Sequence, residues 1–450
     1  MPSGGPAVPD IAVLIEPLPH HEDASQWLPR IRGLGNSVWL DSGRPTGDRG
    51  RFDIISAAPL AIVEPKPGVT LSAFKRVRKA LEQYLPAVTG QPDIPFCGGA
   101  IGLLGYDTPA DDTAPPVPQQ PDFPCYRFGL YSWAIICDHE QQRTVAVFHP
   151  ATPAGLQREV LARLTGVAPS GEEPDFHLTS PWQVTPETDG YRVAFRQVQE
   201  YIHAGDCYQI NLARRWQTTF EGDPWHAYQR LRHRAGAPFS AWLETPAGVV
   251  MSLSPERFIT AEGDQLWTQP IKGTAPRSAD PAEDRRLAEE LLASEKNRAE
   301  NVMIVDLLRN DFGRSCEIGS IHVDRLFELQ QFATVHHLVS SVRGRLRPEV
   351  HPLDALAASF PGGSITGAPK IRAMEIIAEL EPFERSVFCG SIGYISACGR
   401  MDTNIAIRTL LACRGELFAW AGGAVVADSE CQSELQETCN KIEPLLAVLS

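Results

Sequence analysis

Short apolar runs that never settle into one period constrain the fold of this chain more than any other feature. Between Ile11 and about Ala168 they read IAVLIE, SVWLDSG, RFDIISAAP, AIGLLGYD, YSWAIICD and RTVAVFHP. Each is alternating or continuously apolar and is bounded by Gly or Pro, which suits strands. Further along, strand-like and helical patterns mix without the regular alternation that a parallel sheet demands. An α+β fold on mainly antiparallel sheets is expected. No fixed period recurs, so a repeat architecture is excluded. With 450 residues and 43% hydrophobic content, the chain can bury a large core.

Residues 1–9 read as a flexible tail and 10–168 as a β-rich N-terminal region. The polar, Pro-rich stretch 169–187 is the candidate linker to a second region, 188–450. Thr188 or Asp189 is expected to cap the amphipathic helix YRVAFRQVQEYIHAG. The Pro-rich stretch 107–124 reads as an excursion loop.

Lys plus Arg number 41 against 55 Asp plus Glu, a formal charge of −14. That argues against nucleic acid or an anionic membrane as a partner, while a small anionic metabolite needs only a local cluster of cations. No apolar run approaches the ~20 residues of a membrane span, and the opening MPSGGPAVPD lacks a signal peptide's pattern, so the cytoplasm is the expected location. The ten cysteines form no C-x-x-C pair and no Cys/His zinc spacing, and are expected to be free thiols.

Several stretches carry candidate chemistry. In QPIKGTAPR (269–277), Lys272 stands between an apolar residue and a Gly273-Thr274 turn. Two readings fit: a turn lysine with its ammonium in water, or a desolvated amine nucleophile. FPGGSITGAPK (360–370) is a poor phosphate loop, because Ala368-Pro369 replaces Lys-Ser/Thr and Pro369 has no N–H. Its free N–H groups and Thr366 could instead hold a carboxylate at a helix start. Glu434, Glu437 and Lys441 share one helix face, either a solvated stripe or part of a site. Glu300, near the start of a second helix, offers another carboxylate, and two such helices could grip Mg²⁺. Glu256, following Pro255 in SLSPERF, is either a surface acid or a partly desolvated proton donor. Arg408 is read as a cation inside the apolar strand NIAIRTLL, needing an anionic partner. His337 in VHHLVSSV is either a satisfied core histidine or part of a site.

SPERF, PIKGT, RAENVMIVDLLRNDFGR, VHHLVS, FPGGSITGAPK, CGSIGYI, DTNIAIRTL and ADSECQSELQETCNK occur together and in order. In this the chain resembles the chorismate-utilising enzymes, and among them the aminodeoxychorismate synthase component I branch, over nearly its whole length. The resemblance implies two large antiparallel sheets between helices, built by both halves of the chain. It implies that Lys272, an alanine in anthranilate synthases, attacks C2 of chorismate while Glu256 protonates the departing C4 hydroxyl. It assigns Glu300 and Glu437 as direct Mg²⁺ ligands and Glu434 as one acting through water. His337 joins the catalytic set, and Gly273, Thr274, Thr366, Arg408, Gly422 and Lys441 the substrate-binding set. Gln209, also in that set, replaces the water-activating lysine of isochorismate and salicylate synthases. Leu40 and Ser42 match a tryptophan pocket. Ammonia would come from a separate glutamine amidotransferase subunit, because the chain has no G-x-C-x-G nucleophile elbow. Ala424 departs from the family's usual glycine, and Leu435 from a common aromatic. Anthranilate synthase component I, a phosphate-loop NTPase and a non-catalytic tryptophan-binding module are the competing readings.

Overall fold

A computed structural model describes residues 12–47, 50–66, 69, 71–109, 122–166, 174–331 and 335–450. Two sheets organise them, and every pairing among the described strands is antiparallel. The first sheet runs from Leu14–Leu18 through Val38–Asp41, Gly248–Ser254 and Thr409–Cys413 to Glu416–Val425 and Gln209–Glu221. The second runs from Ile271–Pro276 through Val335–Arg345, Arg257–Glu262 and Met401–Asn404 to Gly99–Leu104 and Tyr126–Tyr131. Both halves of the chain contribute to each sheet.

The continuously apolar runs are explained by burial on both faces, since each strand sends alternate side chains to opposite sides. In the first sheet Val250 and Leu411 join the core between the sheets, with Ile101 and Ile259 of the second. Their neighbours Val249, Met251, Leu410 and Ala412 join an outer core beneath the helices Pro224–Ala235 and Cys431–Leu449. Completely buried Trp39, Trp133 and Trp242 fill that outer layer. The helix Glu295–Gly313 packs on Ile271–Pro276 and Val335–Arg345, and Cys431–Leu449 packs on Glu416–Val425.

Two strands leave the first sheet for the second side by side. Gly248–Ser254 passes through Pro255-Glu256 into Arg257–Glu262, and Met401–Asn404 returns through residues 405–408 to Thr409–Cys413. The crossings are tied by Ile405 N–H, which donates to the Glu256 carbonyl at 3.0 Å.

Three expectations need adjustment. The helix Thr188–Ala204 begins where expected, but Glu187 is its cap residue and no side chain caps it; Asp189 pairs with Arg192 instead, at 3.0 Å. Within the expected linker, His177–Leu178 and Gln183–Thr185 pair with Gln209–Glu221, their edge satisfying backbone groups that the composition alone left unassigned. Arg408 is not inside a strand: it ends the second crossing, with φ +51. The apolar run before it is buried because the crossing threads the interior, Ile405 and Ala406 both belonging to the core. The 1–9 tail, residues 110–121 of the excursion loop and residues 169–173 lie outside the described residues. All ten cysteines are free, and no helix among the described residues is long and apolar enough to cross a membrane.

Candidate active site

Lys272 owes its position to a break in the ladder between Ile271–Pro276 and Val335–Arg345. Pairing steps from Ile271–Val339 to Thr274–His337, so Lys272 and Gly273 together oppose Leu338, a β-bulge that re-aims a side chain. Gly273 has φ +83, and a Cβ there would stand 3.0 Å from Leu291 and 3.1 Å from Asn297, so only glycine fits without strain. From the bulge, the Lys272 amine donates to the Ser364 carbonyl at 3.3 Å. Burial pushes its pKa below the ordinary lysine value, against the opposing pull of Glu300 and Glu256; Lys441 adds to the drop and Glu437 opposes it. Five charged groups, drawn from the second sheet, a crossing between the sheets and two helices, therefore share one electrostatic neighbourhood.

Glu256 sits on the first crossing and is 6% exposed, so it is not a surface acid. Its Oε1 accepts from the Ser364 hydroxyl at 3.1 Å. Burial pushes its carboxyl up to about 7, while Lys272, the Ser364 hydroxyl and the Ile271 N–H pull it down. Near neutral pH such a group holds or gives up a proton readily. Ser364 thus touches both Lys272 and Glu256. Sequence reasoning missed it because the Gly-rich stretch drew attention to Thr366, and nothing local pairs Ser364 with an acid 108 residues away.

On the helix Cys431–Leu449, Lys441 pairs with Glu437 at 2.6 Å and donates to the Gly422 carbonyl at 2.9 Å. Glu434 is buried and its Oε1 accepts from Ser429 at 2.7 Å. A Cβ on Gly423 would stand 2.9 Å from Glu434 Oε2 and 3.6 Å from Glu437 Oε1, so the missing side chain leaves both carboxylates room. Among the described residues, no three His, Cys, Asp or Glu side chains converge as a metal's ligands would. A Cβ on Gly422 would meet Asn211 Oδ1 at 2.8 Å. Ala424, one step from Gly423, lies opposite Asn211 in the ladder.

Burial lowers the Arg408 pKa, and its guanidinium finds no hydrogen-bonding or ionic partner among the described residues. Thr366 is buried with its hydroxyl donating to the Gly362 carbonyl at 3.1 Å, so it enters the site already tied to its own loop. Gln209 is fully buried, and neither amide atom has a partner among the described residues. His337 is buried beside Thr274, Nδ1 and Oγ1 2.9 Å apart.

Behind this site, between the sheets, lies a cavity of about 350 Å³ lined by Leu40, Phe52, Pro238, Tyr394, Pro255 and Ile271. Pro255 and Ile271 directly precede Glu256 and Lys272, so cavity and site share a wall. Leu40 lines this cavity, and the Ser42 hydroxyl, which is not in its wall, donates to Asp53 at 3.1 Å.

The family model described as chorismate binding enzyme matches residues 35–447. The chain is 44% identical to aminodeoxychorismate synthase component 1 of Escherichia coli (strain K12), over 95% of this chain and 96% of that one. It is 36% identical to anthranilate synthase component 1 of Streptomyces coelicolor, over 91% and 83%. The crystal structure of anthranilate synthase component I from Streptococcus pneumoniae superposes with a TM-score of 0.77 at 30% identity, covering 88% of this chain and 92% of that one. A match of this length, on a fold that brings Lys272, Glu256, Glu300, Glu437 and Lys441 into one neighbourhood, makes this chain a member of the chorismate binding enzyme family.

Proposed function

We propose that the chain aminates chorismate at C4, giving 4-amino-4-deoxychorismate for p-aminobenzoate and folate synthesis, with Lys272 as the attacking amine. The carrying observation is the bulge that holds a half-buried lysine, its pKa depressed, beside a glutamic acid poised near 7. The neutral amine attacks C2, and both ring double bonds shift by one position toward C4. The C4–O bond then breaks, and Glu256 supplies the proton with which the hydroxyl leaves as water. Ammonia adds at C4, both double bonds shift back, the lysine departs from C2 as the neutral amine, and the proton shed by the new C4 ammonium restores the Glu256 acid. Similarity to relatives named aminodeoxychorismate synthase component 1 favours this reading over anthranilate formation, as does a lysine rather than alanine at position 272.

Arg408, without a protein partner among the described residues, suits a substrate carboxylate, with Thr366, Lys441, Gly422, Gly273, Thr274 and Gln209 completing the pocket and His337 behind Thr274. Glu300 and Glu437, with Glu434 through water, would hold Mg²⁺: the donors are all hard oxygens and Gly423 leaves space beside two of them, although among the described residues the three do not yet converge as a ligand set. Bound there, the ion would neutralise charge on the C1 carboxylate. Glutamine nitrogen would arrive as ammonia from an amidotransferase subunit. The cavity lined by Leu40 is of a size that suits tryptophan, and its wall offers both apolar surface, from Phe52 and Pro238, and charged groups, from Asp41 and Arg51.

The test is product identification after incubation with chorismate, Mg²⁺ and an ammonium salt. A product that retains the enolpyruvyl group is expected. Anthranilate, or no turnover, would overturn the reading. Glutamine alone should give no product until the amidotransferase subunit is added.

A further inference from the structure

We propose that Arg385 is a positioning residue for this reaction, a buried guanidinium fork that fixes the loop carrying Ser364 against Lys272 and Glu256. Arg385 is 1% exposed, yet lies outside every motif read as chemical. Its Nε and Nη2 donate to the two oxygens of Glu381 at 2.9 and 2.7 Å. The remaining reach goes to backbone: Nη1 to the Ile365 carbonyl at 3.0 Å and Nη2 to the Asn211 carbonyl at 2.5 Å. Tyr106 covers the guanidinium, its ring centre 4.6 Å away.

Those two carbonyls belong to the two segments that meet at the site. Ile365 directly follows Ser364, whose carbonyl accepts from Lys272 and whose hydroxyl donates to Glu256. Asn211 stands two residues beyond Gln209, and its own groups complete the clasp. Its N–H donates to the Thr366 carbonyl at 2.9 Å and its Nδ2 to the Ile365 carbonyl at 3.0 Å. Glu381 ties the same strand again, accepting from Ala213 N–H at 2.8 Å. A buried ion pair gains little stability over a well-packed apolar pair, because desolvation offsets the attraction. A planar fork does what an apolar pair cannot: it holds two carbonyls and a carboxylate at fixed angles. The Ser364 carbonyl and hydroxyl are thereby set for both reacting groups.

This inference rests on Lys272 and Glu256 being the reacting pair, so its test includes a measurement independent of turnover. Arg385→Lys keeps the charge and removes the fork. Its kcat should fall by roughly 10- to 100-fold, the scale expected for displacing reacting groups by about 1 Å. The pH dependence of Lys272 acylation by a small amine-reactive ester, read by mass spectrometry of its peptide, should shift upward as water reaches the loosened amine. Arg32→Lys is the control, because Arg32 also forks onto two acids, Asp223 and Glu244, at a remote site. It should lower the melting temperature without altering kcat or Lys272 labelling. Should Arg385→Lys not fold, Asn211→Ala removes one of the two bonds to the Ile365 carbonyl while leaving the ion pair, and should move both readouts the same way. Wild-type kcat and labelling in whichever of the two folds would overturn the proposal, whatever its melting temperature. A Lys272→Ala enzyme with normal turnover would instead refute the nucleophile, and labelling of the wild-type and Arg385 variants would still decide the positioning role.

Discussion

Ser364→Ala is the sharpest probe of the proposed reacting pair, because it alters one partner of Glu256 and leaves the contact to Lys272 intact. The hydroxyl donates to Glu256 Oε1 at 3.1 Å, whereas Lys272 is held by the Ser364 backbone carbonyl, which alanine retains. A hydrogen bond to a charged group contributes about 1.5–3 kcal/mol, and one pKa unit corresponds to about 1.4 kcal/mol. The bond favours the carboxylate over the acid. Its loss should therefore raise the Glu256 pKa from about 7 by roughly one to two units. The assay is kcat/KM for chorismate against pH with saturating ammonium, which reports the free enzyme's two essential groups. The value belonging to Glu256 is identified as the one missing from the profile of Glu256→Gln. In Ser364→Ala that value should climb while the other stays in place. If neither moves, or if only the second does, the hydroxyl does not control Glu256 and the acid has been misassigned.

Three further outcomes are expected. Glu256→Gln should lower kcat by roughly 10²- to 10⁴-fold, yet raise stability at pH 8. The folded pKa lies above the ordinary 4.5, so the stability this group confers is complete below that value and lost as pH rises through about 7; the difference is about 3 kcal/mol, and melting curves at pH 4 and pH 8 should show the gain only at the higher pH. Lys272→Ala and Lys272→Arg should both lose turnover, and wild-type enzyme given chorismate without ammonia should carry an adduct on the Lys272 peptide; an active Lys272→Arg with no adduct would leave direct ammonia attack as the mechanism. Gly423→Ala would bring a methyl to 2.9 Å from Glu434 Oε2, so its activity should require more Mg²⁺ while its circular dichroism stays unchanged; an unaltered Mg²⁺ titration would remove these carboxylates from the metal assignment.

Local sequence determined much of this protein. Short apolar runs without a regular helix alternation required antiparallel sheets, and their continuity is the mark of strands covered on both faces, as Val249 and Val250 show by entering different cores. The i,i+4 spacing of Glu437 and Lys441 became an ion pair because helix geometry alone fixes it. Lys272 and Glu256 were named, but their chemistry was not legible, since desolvation belongs to whatever surrounds a group and the sequence does not state that. Lys272 needed the mismatch with Leu338 on a strand more than sixty residues later, and Glu256 needed a crossing between sheets that Ile405 closes. Arg408 looked like a strand residue because a crossing through the interior is as apolar as a strand. Ser364 and Arg385 were not singled out: apart from Glu381, four residues from Arg385, the groups they contact are distant in sequence, so only the packed sheets bring them together with Lys272 and Glu256.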